Sequence, residues 1–335
     1  MYDFKRFQKN GYAFQETVYR ESWEDFYRVV GPDDSGPYLG ILTPPMPGYA
    51  WQRANRVVEQ GRHWTDIAHE RLCRLYTCGE MYWPADRSRR FYLVTDWHED
   101  GDRLIDRLES GPLSRQEALQ IVADTATALN RLNEAGIHHG RINPDNVLID
   151  DEGRARLTHP VEARLRAELE AVNSMGGSNW DFTFIAPEVA SDRGEADLRS
   201  DLFSLCALLY HLLTGKKPFS SNTAFDLAPE LLASLLPDNP GRQLTHPLQL
   251  MLAYGLRLTP AARYQHPRAL LAERLDLTNS RNPVHASAAM QGQPLWAGDQ
   301  ALLAIASSQT EDLGEARAVP TTRRRSVEQP RSDLD

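Results

Sequence analysis

Residues 202–213 form a run that is apolar nearly all round, with His211 inside it. A helix of that composition has no face to leave in water, so it must be wrapped on every side. The run falls well short of the roughly 20 residues that cross a bilayer, so the wrapping has to be protein. The chain must therefore build a lobe around a central buried helix. Of its 335 residues, 41% are hydrophobic and 25% charged, enough for a sizeable core and incompatible with a wholly disordered chain. The net charge of −9 lacks the basic face that a general nucleic-acid binder needs, so no nucleic acid is expected as a partner. Cys73, Cys78 and Cys206 are too few and too scattered for a disulfide framework, and they form no paired spacing for zinc. No metal is expected on that ground. The first twenty residues are rich in charge, without a signal-peptide pattern. A soluble cytoplasmic protein with no transmembrane segment is the expectation.

The region before the apolar run has a different texture. Residues 14–19, 25–30 and 38–42 alternate aromatic or β-branched residues with polar ones. A turn at 31–34 separates the last two, and the pattern predicts a three-stranded antiparallel meander. A helix is expected over 51–61, then strands near 72–76 and 91–95. From residue 114 helices dominate. Ser114 and Glu117 form a capping-box pair that opens a helix through residue 132. Residues 248–256 and 266–275 read as further amphipathic helices. Strands first and helices afterwards give an α+β architecture in two lobes. Beyond residue 277 small and polar residues take over, with Pro283, Pro294, Pro320 and Pro330, and a low-order tail is expected. Residues 295–306 are an apolar island in it, either a short docking helix or a patch with no role.

The segment 137–149 carries His138-His139-Gly140-Arg141-Ile142-Asn143-Pro144-Asp145-Asn146 before a hydrophobic stretch. It resembles the catalytic loop of protein kinases, His-Arg-Asp-Leu-Lys-Pro-Glu-Asn. Ala186-Pro187-Glu188 matches the family's Ala-Pro-Glu motif, Asp201 opens the buried helix as in the serine/threonine branch, and Arg263 lies in a segment like the one that supplies the acid's arginine partner. The motifs fall in family order. The resemblance implies a bilobal protein-kinase-like fold, with an N-terminal extension at 1–13, a β-rich N-lobe at 14–98, a helical C-lobe at 99–276 and the tail at 277–335. It also implies structural roles for His139, Pro144, Glu188, Asp201 and Arg263.

The same resemblance locates the phosphate-moving groups, and most are replaced. Phosphoryl transfer needs the phosphates and metal ions held and a base beside the acceptor hydroxyl. The phosphate-covering loop at 19–26 has no glycine. Leu42 stands where the lysine of the third strand belongs, so Glu59 on the next helix is either its orphaned acid partner or a solvated charge. Arg141 replaces the catalytic aspartate, Asn143 the following lysine, and His159 the metal-binding aspartate, where a neutral imidazole is a poor ligand for magnesium. Asn146 remains, either as a nucleotide-site residue or as a cap of the loop. Asp96, Trp97 and His98 fall at the hinge and offer backbone groups to an adenine, with Trp97 equally readable as packing.

The pattern is that of a pseudokinase: a non-catalytic scaffold or regulator bound to another protein, with no cofactor expected. Two alternatives stand beside it, a divergent kinase-fold enzyme of atypical phosphoryl or nucleotidyl transfer, and a switch that binds ATP and magnesium without catalysis. The enzyme reading would draw on Asp145, Asp150, Asp151 and the His138-His139 pair. Segment 159–188 resembles the activation segment. It carries Glu162, Glu168, Glu170, a glycine-containing stretch at 175–178 and Asp181 in place of a phosphorylatable residue. In the tail, Arg323-Arg324-Arg325-Ser326 resembles a site for a basic-directed kinase.

Overall fold

A computed structural model describes residues 8–20, 24–83, 86–98, 103–174, 182–190, 196–218 and 246–272. The stretch 175–178, Asp181, the tail with its island at 295–306, and Ser326 lie outside the described residues.

The alternating segments form strands as their period requires. Strands β1 (Gln8–Lys9), β2 (Tyr12–Arg20), β3 (Asp25–Val30) and β4 (Tyr38–Leu42) join β5 (Leu75–Trp83) and β6 (Ser88–Asp96) in one antiparallel sheet of order β1-β2-β3-β4-β6-β5. The expected strand near 72–76 starts later, at Leu75, because Leu72 is held away from the sheet by a bridge to Leu157. Helix α1 (Gly48–Gly61) packs on one face of the sheet, its Ala54 and Val58 against Phe26, Leu39, Ile41, Phe91 and Leu93. The opposite face carries Phe14, Tyr27, Val29, Leu42, Tyr92 and Val94.

The second half is helical, with α2 (Leu104–Leu108), α3 (Arg115–Glu134), α5 (Pro187–Ala190), α6 (Leu198–Thr214) and α7 (His246–Gly255). The capping box at Ser114 and Glu117 forms as the sequence predicts. Helix α6 is the buried apolar run, with Leu202, Phe203, Leu205, Leu208, Leu209, Leu212 and Leu213 all fully buried. Asp197 caps its start, and Gly215, at φ 66°, ends it in the left-handed conformation that glycine adopts freely. Strands β7 (Val147–Ile149) and β8 (Ala155–Leu157) pair as a hairpin beside α3.

One element departs from the sequence reading. Directly after β8 the chain forms α4 (Pro160–Ser174), which packs along α1. Val161 and Leu165 of α4, both fully buried, join the cluster between α1 and the sheet. The approach is close: a Cβ on Gly61 would lie 2.4 Å from a Val161 methyl, so only glycine lets α4 seat there.

Candidate functional site

The loop at 138–146 hangs from groups beneath it. Asp201, on the first turn of α6, accepts from the backbone N–H of His139 at 2.6 Å and of Gly140 at 2.7 Å. Full burial pushes its carboxyl up to about 6, against the pull of those two N–H groups. The His139 ring donates from Nε2 to the Thr158 carbonyl at 3.1 Å and accepts at Nδ1 from Arg141 N at 3.3 Å. That is the neutral tautomer, and burial holds its pKa down at about 3. Glu188 takes both ends of the Arg263 guanidinium, at 2.7 and 2.8 Å. Arg263 has no exposed surface and also donates to the Arg257, Leu258 and Arg199 carbonyls. Burial opposes the Glu188 charge, but the bonds and charge of Arg263 outweigh it and hold the carboxyl below its usual value. Of the five residues assigned structural roles, His139 and Pro144 lie in the loop, Asp201 holds its backbone, and Glu188 and Arg263 bind each other beside the start of α6.

Arg141, Asn143, Asn146 and His159 bond to the protein itself. Arg141 donates to Glu170 of α4 at 2.6 Å. Asn143 caps the turn Pro144–Asn146, its side chain accepting from Asn146 N at 3.1 Å. Asn146 donates from Nδ2 to the Arg141 carbonyl at 2.9 Å, so its loop-capping role is formed, while its Oδ1 is buried without a hydrogen-bond partner among the described residues. His159 is fully buried, and burial holds its pKa at about 3. Its Nδ1 accepts from Val161 N at 3.3 Å and its carbonyl from Ala163 N at 3.2 Å, so it caps α4. Among the described residues no three His, Cys, Asp or Glu side chains group to hold a metal.

Helix α4 is tied to both lobes. Arg164 donates to the His138 and His139 carbonyls of the loop, and its guanidinium lies 5.2 Å from the Trp64 ring. Arg166 reaches into the N-lobe and pairs with Glu24 at 2.9 Å, with both residues buried. Glu162 lies 3.8 Å from the same guanidinium. At the exposed end Arg53 of α1 meets Glu168 at 2.7 Å. The sequence reading named Glu162, Glu168 and Glu170 and took Glu24 only as part of the loop at 19–26, but missed Arg164 and Arg166 and the helix that unites them.

The sheet face over the cleft is occupied as well. Arg103, 6% exposed, has its guanidinium 5.9 Å from the Phe26 ring above and donates to the Asp145 carbonyl below at 3.1 Å. The structure also shifts the third-strand position by one residue. Leu42 packs with Phe14, Tyr27 and Tyr92 on the face away from α1, and Ile41 is the neighbour that faces α1. Side chains alternate along a strand, so a lysine facing α1 would have to stand at 41 or 39, where Ile41 and Leu39 are found. Glu59 is exposed and bonds to Arg62, as a solvated helix charge does. Strand β4 contains no lysine, and the residues directly after β8 are Thr158, His159 and Pro160.

At the hinge Asp96 accepts from Arg74 N at 3.0 Å and from the Tyr76 hydroxyl at 2.9 Å, and it pairs with Arg156 of β8. Trp97 carries the Arg28 guanidinium 4.9 Å above its ring, and His98 is buried. Both Asp96 and Trp97 have structural partners. In front of the loop a mostly apolar cavity of about 610 Å³ is bounded by Val57, His138, Arg141, Arg164, Ile185 and Val189 among others.

Comparisons with known proteins agree with this geometry. The protein kinase domain family matches residues 51–266. The serine/threonine-protein kinase PknB of Mycobacterium tuberculosis is 26% identical over 274 residues, covering 80% of this chain and 40% of its own length. PknB of Mycobacterium leprae is 27% identical over 221 residues, covering 65% of this chain and 35% of its own. The serine/threonine-protein kinase PknL of Mycobacterium tuberculosis is 29% identical over 216 residues, covering 60% and 54%. The chain spans about a third to a half of the length of these curated relatives. With the motif order, the two lobes and the match across most of the chain in agreement, the chain belongs to the protein kinase family.

Proposed function

We propose that this protein is a pseudokinase, a kinase fold that works by binding another protein rather than by moving phosphate. The observation that carries this reading is the Arg141–Glu170 pair. At the position of the catalytic base stands a cation that accepts no proton, and its counter-charge comes from the helix that fills the cleft. Loss of one well-placed electrostatic group costs about 10² to 10³ in rate, and here the lysine, the base and the metal carboxylate are absent together. The relatives are named as serine/threonine kinases, and this chain differs from what that activity needs at each of these points. Glu170 is held in an ion pair by Arg141, while burial raises its pKa.

The reading assigns no cofactor. It makes 14–98 and 99–276 the two lobes of the binding scaffold and 277–335 its tail. A cytoplasmic setting agrees with three free, buried thiols and with the finding that no described helix is long and apolar enough to cross a membrane. The net charge of −9 disfavours nucleic acid. One observation favours the switch alternative: Asn146 Oδ1, buried and without a hydrogen-bond partner among the described residues, is the acceptor a metal would use if α4 withdrew.

The test is incubation of the purified chain with magnesium and γ-labelled ATP, alone and with a mixed protein acceptor. No label above the background of an Asn146→Ala protein is the expected result. Transfer that disappears in Asn146→Ala overturns the reading and supports a divergent enzyme.

A further inference from the structure

The cavity of about 610 Å³ in front of the loop at 138–146 is mostly apolar, and α1, α4 and the segment around α5 form its walls. Val57, Ala167, Ile185 and Val189 line it, and each keeps part of its surface exposed. Two polar groups interrupt that wall at one place. Gly140, at φ 81°, carries no side chain, and a Cβ built on it would stand 3.6 Å from Arg164 Nε and 3.7 Å from His138 Cδ2. The glycine thus leaves a niche in the cavity wall with a guanidinium and an imidazole at its edge.

The cations around this cavity differ in what answers their charge. Arg141 has Glu170 at 2.6 Å, and Arg53 has Glu168 at 2.7 Å. Arg164 has no carboxylate within ion-pair distance among the described residues. Its Nε and Nη2 donate to the His139 and His138 carbonyls, and its Nη1 makes no hydrogen bond among the described residues. Asp201 supports the charge from a distance, but both its oxygens are taken by the N–H groups of His139 and Gly140. Burial opposes the cation, and a guanidinium cannot shed its proton to escape that cost. The His138 ring also makes no hydrogen bond among the described residues. Burial, with Arg164 beside it, holds that ring neutral, with one N–H to donate.

We propose that this cavity docks an acidic side chain, Asp or Glu, of a partner protein, with an apolar neighbour of that residue against Val57, Ile185 and Val189. The inference rests on the protein-binding reading above and names where, and by what chemistry, the partner is held. One guanidinium without a counter-charge and one neutral N–H match a monoanion with two oxygens. A phosphorylated side chain would bring close to two charges against that single cation, beside a mostly apolar wall, so the carboxylate is the better fit. The acids already at the cavity, Glu168 and Glu170, are each answered by an arginine of their own.

Selection on the full chain from a random peptide library displayed on phage tests this, with the peptide C-termini fused so that only side chains supply carboxylates. The expected result is enrichment of peptides that carry an Asp or Glu beside an apolar residue. The strongest peptide, synthesised with a C-terminal amide, should bind Arg164→Gln about tenfold or more weakly, as loss of one charge-assisted bond requires. Replacing the peptide's own acid by its amide should weaken binding to the unaltered chain by a similar factor. If Arg164→Gln does not fold, Ala167→Glu takes its place, since it sets a carboxylate in the cavity and should block the peptide. A phosphoserine in place of the acid that binds more tightly overturns the choice of a carboxylate. No enrichment, enrichment without an acid, or unchanged affinity in both variants overturns the proposal. Phosphate transfer from labelled ATP would end the pseudokinase reading without touching the peptide result, and an empty selection would end this inference without restoring transfer.

Discussion

The groups below the catalytic loop and the groups above it use charge in opposite ways. Below, Asp201, Glu188 and Arg263 hold backbone and one another, and each finds at least two partners within the C-lobe. Above, Arg141, Asn143 and His159, which the proposed function takes as the replaced base, phosphate cation and metal ligand, each make a structural contact with α4 or the loop turn. A group whose task is to hold backbone is needed whether or not phosphate moves. A group whose task is catalytic is dispensable once the cleft is filled, and its position is then free to bind the filler. The N-lobe shows the same division: Phe26, Leu39 and Ile41, the sheet face toward the cleft, pack on Val161 and Leu165 of the protein's own helix.

Four measurements break or sharpen that comparison. The largest effect is expected below the loop: Arg263→Met leaves Glu188 without its bidentate partner at a buried site and should cost about 3–5 kcal/mol in urea unfolding. A loss under about 1 kcal/mol would mean the anchor is not what holds the lobe. Next comes the filler. Leu165→Ala removes a fully buried side chain from between the lobes and should cost about 2–5 kcal/mol. A surface-like loss there would show α4 to be loosely seated.

The third is the pH dependence of stability. Burial holds His138 at about 4 and His139 and His159 at about 3, against 6.5 for the free side chain. Below pH 6.5 the unfolded chain takes up protons that the folded chain does not, so this stability is complete above 6.5 and is lost on acidification. Asp201 acts in reverse. Its carboxyl is raised from 3.8 to about 6, so the folded state holds the extra proton between those values, offsetting about one histidine. Each uncompensated histidine contributes about 1.4 kcal/mol per pH unit. Urea unfolding between pH 7.5 and 5 should show stability falling toward acid, with a shallower fall in His159→Asn. A flat profile would contradict the buried neutral ring as cap of α4. The smallest effect is expected for Arg53→Ala, which removes the half-exposed pair to Glu168 and should cost at most about 1 kcal/mol. A larger loss would place more of the seating of α4 at its exposed end.

Much of this was legible in the residues. The period-two pattern located β2, β3 and β4, the Ser114–Glu117 box located the start of α3, and the apolar run located α6. The Ala-Pro-Glu acid and its arginine were identified through motif order and meet in space. Helix α4 was missed although its signals are local: Pro160 at its first position, Glu162 in its first turn, and apolar Val161, Leu165 and Leu169 four residues apart. The resemblance to an activation segment outweighed them, and that segment's conformation in any kinase fold is set by tertiary contacts. The Leu42 assignment shows a second limit. Adjacent strand residues face opposite ways, and only the side on which α1 packs decides between 41 and 42. Arg103 gave no signal, because a lone charge looks alike in sequence whether it ends in solvent or in a cleft.

The central claim, that the cleft is closed by α4 and lacks the groups for phosphate transfer, is tested most directly by thermal melting with millimolar ATP, in magnesium and in chelator. A ligand at one hundred times its dissociation constant stabilises the folded state by about 2.7 kcal/mol, a readily visible shift. The account predicts an unchanged Tm in both conditions. A Tm that rises and saturates with ATP, and returns to baseline in Asn146→Ala, would contradict it.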